Sequence, residues 1–455
     1  MEDIGGRTDA VRIVLRLREA GHRAFIVGGA VRDMVMGIEP KDYDIATDAS
    51  PVEVERLFDR VYDVGVKFGV SLVGIGIRTY EVAMFRRDGV YEDGRRPSRV
   101  ERADEVGDVH RRDFTMNALL YDPVEDRVID HVGGIEDIRR GIVRTVGDPV
   151  LRFEEDRLRM LRAVRFAALF NFTIAPEAMT AIRSLARLVT TVSAERIGEE
   201  LAKTFTGPHP GRALSLLDES GLLAVVLPEV SALKGVEQSP EHHPEGDAFV
   251  HTRAMLDLSG GGSETLAFAL LLHDVGKAVT ATEEGRTRFP CHDKVGAELA
   301  SAILRRLRMS GETVVRVREL VRKHMRFMNV PSMKRSTLRR FMAEPEFEEL
   351  LELHRLDTLA RGGSLATHRF LEEELRRVRE KHPTLALPKP LLDGGDLIAL
   401  GYDPGPLFRE VLDAVTDAQL EGIIGTKSEA ESFVREMFPG HSSWKTPGRR
   451  STERD

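Results

Sequence analysis

Near Asp148-Pro149 the spacing of apolar positions along this chain changes from short runs to a helical period. Between Ala24 and Asp130 the apolar residues come in short runs separated by turn residues, as strands do. Ala24-Phe25-Ile26-Val27 is a continuous apolar run. Val70-Ser71-Leu72-Val73-Gly74-Ile75 and Tyr80-Glu81-Val82-Ala83-Met84-Phe85 read as a pair of strands. The polar stretch from Asp88 to Val100, with Gly89, Gly94 and Pro97, reads as a mobile loop. After Asp148-Pro149, helices are predicted over Phe153 to Phe170, Ala194 to Phe205 and Pro210 to Ser220. Helical patterns continue to the end, broken around Ser239 to Asp247, Ser259 to Ser263 and Glu283 to Cys291. Pro383 to Asp396, with Pro388, Pro390, Gly394 and Gly395, reads as a linker into a last small helical unit. The polar stretch Trp444 to Arg450 is expected to be disordered. No repeat of fixed period is present. The pattern predicts an α/β head followed by a long α-helical body.

Composition narrows this picture only modestly. At 455 residues several domains are expected, and 42% apolar with 31% charged residues fits a globular chain. Apolar runs such as Leu266 to Leu272 are far too short for a membrane span, and no targeting region is expected at Met1-Glu2-Asp3-Ile4. The single cysteine, Cys291, excludes an internal disulfide and fits a cytoplasmic location. A net charge of −8 argues against bulk coating of nucleic acid. Arg152, Arg157, Arg159, Arg162 and Arg165 nevertheless crowd one segment, either as a local basic groove or as a helix laced by Glu154, Glu155 and Asp156.

The chemistry begins where the first apolar run ends, at Gly28-Gly29-Ala30-Val31-Arg32-Asp33. A strand turning through two glycines into a helix lets backbone N–H groups approach a phosphate, and Arg32 lies one turn in. Asp42 and Asp44 follow in Asp-Tyr-Asp-Ile. On a strand both carboxylates would share one face and offer hard oxygen ligands to Mg²⁺. The P-loop pattern with its lysine is absent. Further on, Arg111-Arg112-Asp113-Phe114-Thr115-Met116-Asn117-Ala118 sets a guanidinium beside a carboxylate, suited to triphosphate and ribose or to an ordinary surface cluster. In Glu155-Asp156-Arg157-Leu158-Arg159, Asp156 and Arg159 stand i, i+3 and would share a helix face. An acceptor beside a donor matches the amino group and ring nitrogen of cytosine or adenine and refuses uracil and guanine; the same spacing also describes a plain intrahelical ion pair.

Together, Gly-Gly-x-Val-Arg-Asp, Asp-x-Asp, Arg-Arg-Asp-Phe-Thr-x-Asn-Ala and Glu-Asp-x-x-Arg resemble the class II nucleotidyltransferases, the bacterial CCA-adding enzymes and poly(A) polymerases, over roughly residues 20 to 205. The resemblance implies an α+β fold: a polymerase-β-like head with a mixed sheet and helices, then an all-α neck, body and tail. It implies that Asp42 and Asp44 hold two Mg²⁺ ions, with Glu81 the candidate third carboxylate. Gly28, Gly29, Arg32, Arg112 and Asn117 would bind nucleotide, with Asp113 on the ribose. Asp156 and Arg159 would select CTP and then ATP, and Arg162 and Arg165 match further nucleotide-contacting arginines of the family. Asp93-Gly94-Arg95-Arg96-Pro97 resembles the flexible loop that CCA-adding enzymes use to switch to ATP and that CC-only relatives lack.

In the body, Leu272-His273-Asp274-Val275-Gly276-Lys277 ends an apolar helix in a His-Asp pair, with His251, His292, His324 and Asp357 as further metal-ligand candidates. This resembles the HD phosphohydrolase superfamily and implies a divalent transition-metal site. The implied domains are a head at 1–147, a neck with the nucleotide-selecting helix at 148–206, and an RNA-binding body at 207–247. An HD domain at 248–385, a tRNA-binding tail at 386–441 and a disordered end at 442–455 follow. The expected activity is addition of CMP, CMP and AMP to the 3′ end of tRNA from CTP and ATP. A-addition alone, polyadenylation, and a metal-dependent HD phosphohydrolase with a nucleotide-binding head are the alternatives. No membrane partner is expected, and the oligomeric state is left open.

Overall fold

The computed structural model describes residues 5–65, 69–89, 100–239, 246–282, 288–381 and 387–439. The expected loop residues Asp93, Arg95, Arg96 and Pro97, and the expected disordered end at 442–455, lie outside the described residues. The chain divides into two compact units after Arg322, a boundary inside the 248–385 segment.

The first unit opens with α1 (Gly5–Glu19), whose Ala10, Ile13, Val14 and Leu17 are buried along one stripe. Next come β1 (Ala24–Val27), α2 (Gly29–Val35), β2 (Asp44–Thr47) and α3 (Pro51–Leu57). Ser50 and Glu53 form a capping box at the start of α3. The strands β3 (Val61–Gly65), β4 (Val70–Ile75) and β5 (Arg78–Met84) follow, and β6 (Arg86–Asp88) pairs with β7 (Val100–Arg102) as a separate ribbon. After α4 (Glu105–His110) come β8 (Leu120–Asp122) and β9 (Arg127–Ile129). One seven-stranded sheet runs β3-β4-β5-β2-β1-β8-β9. Its β2–β5 pair is parallel and its other pairs are antiparallel, so the sheet is mixed, as expected.

The run Ala24 to Val27 is apolar at every position because β1 is central and buried on both faces. Phe25, Val27, Ala46, Phe85, Val109, Ala118, Leu120 and Val146 pack into one core cluster. The register sets Val27 of β1 opposite Asp44 of β2, and Ile45 of β2 opposite Val82 of β5. Asp44, the first residue of β2, thus lies between the end of β1, where Gly28 follows Val27, and Glu81 in the middle of β5.

After α5 (Gly134–Arg140) the chain is almost wholly helical: α6 (Pro149–Glu155), α7 (Arg159–Leu169), α8 (Pro176–Leu185), α9 (Ala194–Phe205) and α10 (Pro210–Glu219). The single helix expected from Phe153 to Phe170 is two. Asp156 has extended backbone, φ −139° and ψ 104°, and its carboxylate accepts the N–H of Leu158 at 3.1 Å. The aspartate therefore satisfies a backbone donor at the start of a new turn, the competition that makes Asp a poor helix-interior residue. A second departure is at Asp42, which precedes β2 rather than lying on it. Asp42 and Asp44 are still exposed while Tyr43 and Ile45 are buried, so the alternation of faces reaches back beyond the strand.

The first unit continues through helices at Ala248–Ser259, Glu264–Leu272 and His292–Arg306. Ala267 to Leu272 are all buried, which accounts for the longest apolar run. No helix of the described residues is long and apolar enough to cross a membrane. In the second unit, helices at Gly394–Ala399, Pro406–Glu421 and Lys427–Met437 share a core of Leu397, Tyr402, Val411, Val415, Ala430 and Val434.

Candidate active site

A cavity of about 430 Å³ lies where the end of β1 meets the α6–α7 break. Its lining includes Gly28, Gly29, Arg32, Asp44, Arg112, Asp113, Asn117, Asp156, Arg159, Arg162 and Phe166. Six arginines (Arg32, Arg111, Arg112, Arg159, Arg162, Arg196) face three aspartates there. Such a surplus of guanidinium suits a polyanion.

Gly28 takes φ +73°, and a Cβ on it would sit 3.1 Å from Nη1 of Arg112 and 4.0 Å from Oδ2 of Asp44. Only glycine lets the strand end so close to both groups. Burial, then the negative charge of Glu81, and further Asp42, push the Asp44 carboxyl up to about 6 against the pull of Arg112. Asp44 thus sits in the field of two further carboxylates, oxygen ligands of the kind a hard divalent cation takes.

Arg112 is held from behind by Asp108, its Nη2 donating to Oδ2 at 3.0 Å, while Arg111 donates to the other oxygen at 2.8 Å. Asp108 is buried, yet the two guanidinium groups outweigh the effect of burial and hold its carboxyl below the usual range. Arg32 donates from Nη1 to Asn117 Oδ1 at 2.8 Å and from Nη2 to Asp33 at 2.7 Å. Asn117 in turn donates to Asp113 Oδ1 at 3.2 Å, and Arg162 donates to Asp113 Oδ2 at 2.6 Å. Burial would raise the Asp113 carboxyl; Arg162 reverses that, and the group stays ionised.

The helix break changes how Asp156 and Arg159 are held. They do not share a helix face; each is positioned by other elements. Arg196 of α9 donates to Asp156 Oδ2 at 2.8 Å. Arg159 donates to Glu155 at 2.6 Å, to the Arg152 carbonyl at 3.0 Å and to the Arg111 carbonyl at 3.2 Å. Both line the cavity, so a donor and an acceptor still meet at its wall. Arg165 differs from its neighbours: it bonds to buried Glu200 and is not among the cavity-lining residues described. Asp108, Phe166 and Arg196 are site residues that sequence reasoning missed. Asp108 alone had a local signal, standing three and four residues before Arg111 and Arg112.

A second cluster lies elsewhere in the first unit. The Nδ1 atoms of His273 and His292 lie 2.9 Å from the carbonyls of Leu270 and Phe289, so each ring donates there and turns Nε2 away. Nε2 of His273 lies 3.1 Å, and that of His292 3.7 Å, from Asp274. The His251 ring is 5.5 Å from that of His273. Burial opposes ionisation of Asp274, but His273 and Lys277 hold its carboxyl well below the usual range. Gly276 allows this packing, since a Cβ there would lie 2.2 Å from the His292 carbonyl. In the second unit, buried His324 opens the helical stretch His324–Ser332, and Asp357 on Phe347–Ala360 pairs with Arg361.

Three family models match in succession: the poly A polymerase head domain over residues 24–144, the probable RNA and SrmB-binding site of polymerase A over 171–234, and the HD domain over 243–362. The CCA-adding enzyme of Geobacillus stearothermophilus is 46% identical over 217 residues, 48% of this chain and 54% of that protein. That of Bacillus pumilus (strain SAFR-032) is 44% identical over 211 residues, covering 46% and 52%. The chain spans about half the length of these curated relatives. A crystal structure of the Bacillus stearothermophilus CCA-adding enzyme in complex with CTP matches with a TM-score of 0.72 and 29% identity, covering 96% of this chain and 98% of that one. Thermotoga maritima CCA-adding enzyme complexed with tRNA shares the fold at a TM-score of 0.60 and 18% identity, with 96% of each chain covered. The ordered head, RNA-binding and HD matches agree with the mixed-sheet head and helical body, and the chain is similar to CCA-adding enzymes in sequence over about half its length and in fold over nearly all of it.

Proposed function

We propose that this protein adds CMP, CMP and AMP to the 3′ end of tRNA without a nucleic-acid template, using CTP and ATP. One observation carries the reading: the Asp44 carboxylate, an arginine array and the donor–acceptor pair Asp156 and Arg159 line a single cavity. Arg32, Arg112 and Arg162 bind the triphosphate, and Asp113 and Asn117 orient the ribose. Asp156 accepts from the amino group of cytosine or adenine, and Arg159 donates to the adjacent ring nitrogen. The 3′-hydroxyl of the tRNA gives up its proton to solvent, its oxygen bonds to the α-phosphorus as the bond to the β-phosphate bridge breaks, and pyrophosphate leaves. Divalent cations held by Asp42, Asp44 and Glu81 would favour the 3′-alkoxide and stabilise the leaving pyrophosphate. The matched relatives are named as CCA-adding enzymes and one was solved with CTP, which supports this reading over polyadenylation. The test supplies tRNA ending at the discriminator base, at C or at CC with labelled CTP or ATP. CMP on the bare end supports CCA addition. AMP onto CC alone would make it an A-adding enzyme, and long A tails on unrelated RNA would refute the tRNA assignment.

The buried His273–Asp274–His292 cluster supports a second activity, metal-dependent phosphate-ester hydrolysis. Both rings are fixed by backbone carbonyls in the tautomer that offers Nε2 to a metal. Hydrolysis of a 2′,3′-cyclic phosphate that is lost in His273→Ala and kept in Asp44→Ala would establish it. No hydrolysis with Mg²⁺, Mn²⁺, Ni²⁺ or Co²⁺ would refute it.

A further inference from the structure

Phe166 lines the cavity, and the proposed chemistry leaves it unused. Phe166 lies on α7 and Phe170 just beyond its end, one turn apart, with rings nearly parallel (4°) and centroids 6.3 Å apart. The Arg32 guanidinium carbon, from α2 of the head, sits over both, 5.5 Å from the Phe166 centroid and 4.6 Å from that of Phe170. Arg162 and Arg165 also sit over Phe166, at 5.2 and 4.2 Å. Three cations therefore gather round one buried ring, and each has its own polar anchor: Asp33 and Asn117 for Arg32, Asp113 for Arg162, and Glu200 for Arg165.

Like charges brought together in a partly dehydrated site repel one another, and long side chains resist being fixed. Each anchor fixes one edge of its guanidinium, while the negative ring face holds the plane and offsets part of the repulsion. For Arg32 the anchors take Nε, one N–H of Nη1 and one of Nη2. One N–H on each terminal nitrogen is left over to meet phosphate oxygens.

We propose that Phe166 and Phe170 are positioning residues for triphosphate binding, a platform on the α7 side of the cavity that presents Arg32 of the head, and Arg162, in the orientation a nucleotide needs. This rests on the nucleotidyltransferase reading above and assigns to it residues that contact no reacting atom. The ordinary alternative is hydrophobic filling, in which a leucine of similar bulk serves as well. Phe170 is only half-buried, so its substitution spares the core.

The experiment compares Phe170→Leu, Phe170→Tyr and Phe166→Leu with the unsubstituted chain. CTP affinity is measured by calorimetry, and kcat and KM for CTP, ATP and UTP are measured on tRNA primers. Folding is checked by melting. Loss of one cation–ring contact predicts that Phe170→Leu weakens CTP binding and raises KM for CTP and ATP alike by about 5- to 10-fold. Its kcat stays within about twofold, and CTP:UTP discrimination is unchanged, because Asp156 and Arg159 are untouched. Phe170→Tyr keeps the ring face and restores KM; Phe166→Leu gives an effect at least as large. Equal KM values for the leucine and tyrosine variants, or a fall in kcat with KM unchanged, would overturn the platform alone. If the unsubstituted chain fails to bind CTP, the nucleotidyltransferase reading falls, and the platform with it.

Discussion

Replacing Asp44 with Asn should make the protein more stable while abolishing nucleotidyl transfer. The Asp44 carboxyl is raised from 3.8 to about 6 by burial and by Glu81 and Asp42, with Arg112 opposing. That rise sets a ceiling of about 3 kcal/mol on the native-state cost of the charge. The Asp44 carboxyl is surrounded by the cavity wall but its side chain still meets water, so solvent screening reduces the figure to about 1 kcal/mol. The sign follows from proton linkage. Between about pH 4 and pH 6 the native state binds the proton more tightly than the unfolded chain does, so this group's contribution to stability falls as pH rises, then levels off. Asn carries no charge and lacks that fall. Urea denaturation in EDTA should place Asp44→Asn about 1 kcal/mol above the unsubstituted protein at pH 7.5, with the gap closing towards pH 4. Excess Mg²⁺ should stabilise the unsubstituted protein and leave the variant almost unchanged. A variant less stable than the original at pH 7.5 in EDTA would refute the crowded-carboxylate account.

Three other substitutions probe the site's supports. Gly28→Ala combines a disfavoured backbone region with a Cβ 3.1 Å from Arg112; chemical denaturation should show a loss of about 1–3 kcal/mol, and KM for CTP should rise. Arg196→Ala removes the charged donor that orients Asp156, so CTP:UTP discrimination in kcat/KM should drop about tenfold, while Arg196→Lys recovers part of it. Arg165→Ala strands buried Glu200 and should cost about 3 kcal/mol in a urea melt, with KM for CTP changed less than about threefold.

Much of the head was legible because its signals are local. The all-apolar run Ala24 to Val27 marks a central strand, and Gly28 follows it at the position where positive φ is needed. Alternation about Tyr43 set Asp42 and Asp44 on one exposed face without the strand itself reaching Asp42. The nearness of Glu81 to Asp44 is a matter of register between β2 and β5, which the spacing of residues could propose and only pairing could establish. The α6–α7 break was hidden, since Glu-Glu-Asp-Arg-Leu-Arg carries no proline or glycine and a helical period runs through it. What breaks the helix is the Asp156 carboxylate accepting the Leu158 N–H. The roles of Arg196, Phe166 and Asn117 are tertiary: each acts on a residue from another element, and no spacing along the chain encodes that.

The most direct test of the proposed function is single-turnover extension of a tRNA lacking its terminal CCA, with CTP and ATP present together and Mg²⁺ supplied. The account predicts growth by CMP, CMP and AMP and then a stop, with no extension by Asp42→Ala or Asp44→Ala. Continued growth past the first A, no CMP on the bare end, or extension that survives both substitutions would contradict it.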